Sequence, residues 1–417
     1  MQTAVNRIAI IGGGPIGLEA ALAAVHAGCK VRLYEQRSIA EHVRNWGHIQ
    51  MFSPFGMNSS LLGRARLATE CPNLTLPDAN ALLTGREYYE RYLLPLSQLP
   101  ELKGKLHEQV EVVTVGRLDC WKADLVGSSE RAIFPFVLVL NKHSGDERRV
   151  DADVVLDCSG TFQQHNWLGA GGIPAVGELA SENYIEYRLP DLLNKNKEAY
   201  IGKKTLVVGS GYSAACAVVA LAQLAEADSK TSVVWLTRRK AELPIEPIEN
   251  DELKNRRELT EQANRFATTR KNFVQWRPEI MVHSIWYKPH DQHFYIGLRS
   301  LNTEIPQATG SNETTDLLIV DRVIANVGFR PNRKIYEELQ VHECYASGGP
   351  IKLATQLLGK DSIDCLNQPF SDADLLSNPE PDFYILGAKS YGRNSRFLIQ
   401  TGIQQVAEII QKVSDND

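Results

Sequence analysis

The chain has 417 residues, 43% of them hydrophobic and 23% charged, and carries a net charge of −5. This length exceeds one ordinary core and implies two domains or interleaved ones, with the composition of a folded globular protein. The negative balance argues against a nucleic-acid partner, which favours a basic face, and no run of about eighteen uncharged apolar residues marks a membrane span.

The first element is a strand of β-branched residues, Ile8, Ile10 and Ile11, breaking into Gly12, Gly14 and Gly17 before an alanine-rich helix. This is G-x-G-x-x-G in the strand–turn–helix setting that binds a dinucleotide. Gly12 makes the tight turn, Gly14 lets the backbone approach a pyrophosphate, and Gly17 lets helix pack on strand, with Pro15 opening the helix. The unpaired N–H groups of the helix then face the phosphates. A second strand over residues 30–34 ends in Glu35, placed to accept from a ribose hydroxyl. The apolar run is interrupted by the glycines and Glu19 and has no small-residue cleavage site, so it is not read as a secretory leader.

Residues 37–56 show neither helical nor alternating periodicity and are expected to form a long functional loop. Arg44, Trp46, His48 and Ser53 supply the donors and flat rings that line a cofactor ring. Trp46 and Phe52 also suit a core, and His48 also suits a hydrogen-bonded structural imidazole. Residues 58–106 turn helical, and 85–95 is the best amphipathic segment, expected to stop at Pro95. Strands are expected at 110–115, 132–140 and 150–156, the last running into Asp157, Cys158, Ser159, Gly160 and Thr161, where a sheet approaches the dinucleotide again. Residues 163–177, rich in Gly and Pro, read as a linker.

Residues 204–214 repeat the opening pattern, with Gly209, Gly211 and then Ala214 as the third small residue, and Ser213 beside it in the turn. The strand that follows, 232–237, ends in Arg238 and Arg239 where the first site has Glu35. An acid there repels a 2′-phosphate and an arginine fork grips it, so NADPH is expected over NADH. Residues 246–271 are strongly charged with helical spacing and read as a solvated excursion. Further strands are expected at 282–287, 293–299 and 315–327, the last exiting through Gly328. Near the end a strand opens into a loop carrying Gly387, Lys389, Tyr391, Arg393 and Asn394 before a helix over 398–413, and this loop is expected to face a flavin or substrate.

The seven cysteines, Cys29, Cys71, Cys120, Cys158, Cys216, Cys344 and Cys365, are dispersed, with no C-x-x-C pair. They read as reduced thiols of a cytoplasmic protein, with neither a dithiol nor a metal site expected.

Two fingerprints in one chain, closed by a terminal strand, loop and helix, resemble the two-dinucleotide-binding-domain flavoproteins. The resemblance implies an α/β fold of two Rossmann-like dinucleotide-binding domains. Residues 1–165 and 326–417 would form the FAD-binding domain, with an inserted NADP(H)-binding domain at 166–325. FAD would lie on Gly12, Gly14, Pro15, Gly17, Glu35, Trp46, Gly160, Gly387 and Tyr391, and NADPH on Gly209, Gly211, Ser213, Ala214, Arg238 and Arg239. The disulfide-reductase branch carries a redox dithiol that this sequence lacks. The class B flavin monooxygenases, including the N-hydroxylating type, have a second fingerprint similar to the one at 209–214, and Trp46-Gly47 resembles their Gly/Trp element. Their F-x-G-x-x-x-H-x-x-x-Y signature is not legible in 177–188, which contains no histidine. This resemblance implies an enzyme that oxygenates a small organic substrate with O₂ through a C4a-peroxyflavin, with His48, Arg44 and Arg393 orienting flavin, nicotinamide or substrate. The alternatives are a flavin reductase or dehydrogenase passing electrons to a quinone or protein acceptor, and a non-catalytic nucleotide sensor. Oligomeric state, including a homo-oligomer, is left open.

Overall fold

The computed structural model describes residues 6–142, 144–269, 273–301, 316–358, 364–367 and 372–415. The chain divides into two compact units, one made of Met1–Gln164 with Phe329–Asp417 and the other of His165–Gly328.

In the first unit the chain runs through β1 (Arg7–Ile11), the helix Pro15–His26, β2 (Lys30–Tyr34), β3 (Leu106–His107), β4 (Val110–Arg117), β5 (Phe136–Lys142), β6 (Glu147–Ala152) and β7 (Val154–Asp157). The second unit supplies β8 (Lys204–Val208), the helix Tyr212–Ala227, β9 (Ser232–Thr237), the helix Lys254–Thr268, β10 (Val274–Pro278), β11 (Ile280–Lys288), β12 (His293–Ser300), β13 (Asp316–Val320) and β14 (Arg322–Ala325). The chain then returns to the first unit for β15 (Phe383–Ile385) and the helix Ile399–Asp415.

Each unit has a parallel sheet, ordered β15-β7-β1-β2-β3 in the first and β10-β9-β8-β14 in the second, and each adds a three-stranded antiparallel sheet, β4-β5-β6 and β11-β12-β13 respectively. Strand geometry explains the unbroken apolar run of β1. Ile8 and Ile10 join the core built from Leu18, Leu22 and Ile409 of the helices, while Ala9 and Ile11 face Val112, Phe136 and Leu138 of the antiparallel sheet. A strand covered on both faces has no polar side to show.

Several local expectations are corrected. Residues 150–156 are not one strand, because β6 belongs to the antiparallel sheet and β7 to the parallel one. The break is Asp153, whose carboxylate accepts from the backbone N–H and guanidinium of Arg7 and whose own N–H donates to Arg7 O. Likewise 316–325 divides at Asp321, whose carboxylate accepts from Lys204 N at 2.7 Å, and Thr315 lies outside the described residues. Pro95 does not stop its helix: Gly85–Tyr88 passes through a π-helical turn, Tyr89–Leu93, into Leu94–Ser97, the wider turn accommodating a residue without an N–H. Residues 132–140 begin with a 3₁₀ turn, Ser129–Ile133, and β5 starts only at Phe136.

The charged stretch 246–271 is not a solvated excursion. The helix Lys254–Thr268 buries Arg256, Thr260, Ala263 and Asn264, and Arg256 forks onto the buried Asp251 at 2.6 and 2.8 Å; residues 270–272 lie outside the described residues. Within 163–177, read as a linker, Leu168 and Ala175 are buried while Ile173 and Val176 are exposed. The carboxylate of Glu178, wholly buried, accepts from Leu168 N, Ala175 N and Tyr187 Oη.

A second buried ionic cluster ties β4 and the 3₁₀ turn to the segment leading into β15. Arg117 Nε lies 2.8 Å and Arg131 Nη2 2.9 Å from the carboxylate of Glu380, and all three side chains are out of solvent. Arg117 also donates to Pro381 O and stacks over Phe136. Replacing Glu380 by alanine strands two buried guanidinium groups, so denaturant unfolding should show a loss of about 3–5 kcal/mol. A loss below about 1 kcal/mol, the scale of an exposed pair, would contradict this account of the cluster.

Candidate dinucleotide sites

The first cradle is set by close backbone approach. Gly12 has φ +99°, and a Cβ on it would lie 2.8 Å from both Cys158 O and Ser159 Cα at the end of β7. A Cβ on Gly17 would lie 1.9 Å from Gly12 O, so the helix sits directly on the turn. At Gly14 the situation reverses: no heavy atom comes within 4 Å of its Cβ position. Gly14 is also the N-cap, with no side chain capping the helix and Pro15 in its first turn. Open space in front of uncapped N–H groups is what a pyrophosphate requires. Glu35, at the end of β2, accepts from Gly13 N at 2.7 Å and Arg37 N at 2.9 Å. Burial raises its pKa, and those two N–H groups pull the other way.

On the other side of β1, β7 and β15 bring two further turns to the same sheet edge. Gly160 has φ +67°, and Gly387, with φ +71°, packs against Ile16 and donates to Gln405 Oε1 at 2.8 Å. Tyr391 is buried and Arg393 exposed, its backbone N–H held by Ser347 O. Lys389 does not face outward. Its side chain is fully buried, with Nζ 2.6 Å from Asp157 Oδ2 and 3.0 Å from Ser159 Oγ, and Ser159 donates to Asp157 Oδ1 at 2.6 Å. Asp157 and Ser159 lie in the turn expected at the end of this strand, and their bonds to Lys389 are what the sequence did not show. The available signal was an acid closing an otherwise apolar strand. Between them, Cys158 is buried, and burial, reinforced by the neighbouring Asp157 charge, raises its thiol pKa.

The loop after Glu35 contains a short helix, Glu41–Asn45, entered through a left-handed Ala40 and too brief to show periodicity. Arg44 is exposed on it, 4.0 Å from Glu41. Trp46 caps the helix, donates to His42 Nε2 at 3.1 Å and presses on Gly85, where a Cβ would lie 2.4 Å from its ring. His42 packs tilted against Phe162 with ring centroids 4.0 Å apart, and Phe162 against Phe329 at 4.8 Å, an aromatic row the sequence did not reveal. Ser53 is buried and donates to Asn58, and His48 is half-buried.

The second cradle repeats the first. Gly209 has φ +138°, and a Cβ on it would lie 2.3 Å from Asn326 O at the end of β14. Gly211 again has no heavy atom within 4 Å of its Cβ position and caps its helix with no side-chain bond. Ala214 is fully buried and Ser213 exposed at the helix start. A further residue not foreseen, Trp235 of β9, is fully buried and donates its indole N–H to Gly209 O at 2.8 Å. Arg238 and Arg239 follow β9 as exposed side chains, with no ion-pair partner among the described residues. Both cradles therefore fit a dinucleotide, and the second is accompanied by two unengaged cations just after β9. Among the described residues no group of three or more His, Cys, Asp or Glu could hold a metal ion, and all seven cysteines are free thiols.

The family model described as pyridine nucleotide-disulphide oxidoreductase matches residues 7–41, from β1 through the glycines to just past Glu35. No curated protein matches the chain. Among solved structures, the bacillithiol disulfide reductase Bdr (YpdA) of Bacillus cereus is similar with a TM-score of 0.65 at 15% identity, over 99% of this chain and 100% of that one. DfoA, the cadaverine monooxygenase of the desferrioxamine pathway of Erwinia amylovora, gives 0.64 at 12% identity, over 100% and 95%. A doubly substituted flavin monooxygenase from Stenotrophomonas maltophilia gives 0.56 at 16%, over 99% of each chain. What these likenesses show is the fold: an α/β architecture of two Rossmann-like parallel sheets with antiparallel inserts.

Glu35→Ala removes the acceptor beside the first loop while leaving the sheet intact. Purified variant should retain less FAD than wild type with an unchanged far-UV spectrum, and equal retention would contradict a role for Glu35 in that site.

Proposed function

We propose that this chain is an FAD-dependent, NADPH-using oxidoreductase that oxygenates a small organic substrate. The observation that carries the reading is the pair of open, uncapped glycine cradles, an acid beside the first and two unengaged arginines beside the second. Gly12, Gly14, Gly17 and Glu35 hold FAD, with Gly160, Gly387 and Tyr391 lining its edge. Gly209, Gly211, Ser213 and Ala214 hold the NADPH pyrophosphate, with Trp235 fixing the Gly209 carbonyl. Arg238 and Arg239 take the 2′-phosphate, each as a charge-assisted donor. Bound FAD supplies the ring that accepts hydride and activates oxygen.

Oxygenation is favoured over dithiol chemistry by the cysteines. The sequence has no C-x-x-C, and Cys158, beside the first glycine turn, is a single buried thiol whose pKa burial raises. Arg44 and Arg393 are exposed, so within this reading they guide a charged or polar substrate rather than act as buried acids or bases. His48, half-buried in the loop after Glu35, is the group that orients flavin or substrate.

Two measurements test the reading. Replacing Arg238 and Arg239 by alanine should raise the KM for NADPH by roughly tenfold or more, the scale of one charge-assisted hydrogen bond, with little effect on NADH. Equal losses for the two nucleotides would remove the 2′-phosphate assignment. With labelled O₂ and a panel of small amines and ketones, oxygenation predicts label in a product. NADPH oxidation that is supported by a quinone or protein acceptor and never labels a product would assign electron transfer instead.

A further inference from the structure

The second cradle contains a buried acceptor that the fold itself does not satisfy. Asn326 follows β14, which pairs in parallel with β8 in the register Ala325↔Val208, so Asn326 and Gly209 leave the sheet side by side. The Cβ position of Gly209 is 3.5 Å from Asn326 Cβ as well as 2.3 Å from Asn326 O, so the amide side chain starts directly against the first glycine of the turn. Its Oδ1 is buried and has no hydrogen-bond partner. A buried carbonyl oxygen left unpaired is unfavourable and is ordinarily satisfied by protein, water or ligand.

The sheet order says which part of a ligand lies there. The chain moves from β8 to β9 on one side, whereas β14 stands on the other, so the crevice between β8 and β14 is the topological switch point where such sheets bind dinucleotides. With the pyrophosphate over Gly209 and Gly211, the adenosine half extends toward the end of β9, where Arg238 and Arg239 lie. The nicotinamide half must then pass over the end of β14. The first unit provides the contrast. Its equivalent residue, whose carbonyl presses on Gly12 in the same way, is Cys158, a small buried thiol whose sulfur is only a weak acceptor.

We propose that Asn326 is the nicotinamide-side contact of the second cradle, its Oδ1 accepting a hydrogen bond from a hydroxyl of the nicotinamide ribose. The inference rests on the reading of this cradle as an NADPH site, and it separates the two halves of the ligand between two strands. Trp235 and the arginines serve the pyrophosphate and adenosine side from β9, and Asn326 serves the nicotinamide side from β14.

The test is calorimetric binding of NADP⁺ and of 2′,5′-ADP, which lacks the nicotinamide ribose, to the full-length protein and to Asn326→Ala. The variant should bind NADP⁺ on the order of tenfold more weakly and 2′,5′-ADP unchanged, the scale of one buried hydrogen bond. Retained 2′,5′-ADP binding also reports that the domain has folded. The double variant Arg238→Ala, Arg239→Ala should weaken both ligands. Unchanged NADP⁺ binding by Asn326→Ala, or loss of both ligands together, overturns the assignment of Asn326. A wild-type protein that binds neither ligand overturns the NADPH reading itself and this inference with it.

Discussion

The structure depends on two places where a peptide backbone occupies the space a side chain would need. At Gly12 the obstacle is the Cys158 carbonyl and at Gly209 the Asn326 carbonyl, each belonging to the parallel strand on the switch-point side. Only glycine permits this approach, and both residues also adopt positive φ. The tight turn that results puts the following helix immediately over the strand, with Gly17 against Gly12 O in the first unit and the buried Ala214 serving in the second. Each helix therefore starts at the sheet edge, uncapped, with open space before it. A larger residue at either position would separate helix from strand and remove the site along with the fold around it.

Each unit holds its turn by a different device. In the second, the indole of Trp235 reaches across from β9 to the Gly209 carbonyl. In the first, the end of β7 is fixed by a buried ionic group, Lys389 with Asp157 and Ser159. Lys389 also stands 4.9 Å over the ring of Tyr336, whose hydroxyl donates to Glu343. Buried pairs of this kind add little net stability, but a missing partner is costly. The consequence bears on assembly of the first unit, whose two chain segments are separated by residues 165–328. Arg117 and Arg131 meet Glu380, and Asp157 meets Lys389, each pair joining the earlier segment to the later one. A returning segment docked in another register would leave these charges buried and alone.

What was legible in the sequence is what local spacing encodes. Gly12, Gly14 and Gly17, and Gly209, Gly211 and Ala214, declare a strand, a turn and a helix at fixed separations, and that was enough to read the α/β fold with two parallel sheets. Features that depend on partners far along the chain were not legible. Asp153 breaks a strand because it meets Arg7, and Asp321 does so because it meets Lys204. Arg256 leaves the surface because Asp251 is buried with it, which charge periodicity alone cannot show. Lys389 read as a flavin-facing cation and is turned inward by Asp157. Trp235 and Asn326 fall inside the expected strands 232–237 and 315–327 with nothing to single them out, and their importance exists only once β8, β9 and β14 lie side by side.

The central claim is that the two cradles serve one redox reaction, with FAD at Gly12–Gly17 and NADPH at Gly209–Ala214. Its most direct test is an anaerobic titration of the FAD-loaded, full-length protein with NADPH, followed by absorbance of the flavin. The account predicts stoichiometric bleaching of the oxidised flavin band, faster with NADPH than with NADH. A protein that takes up FAD but whose flavin spectrum is untouched by either nucleotide would contradict it.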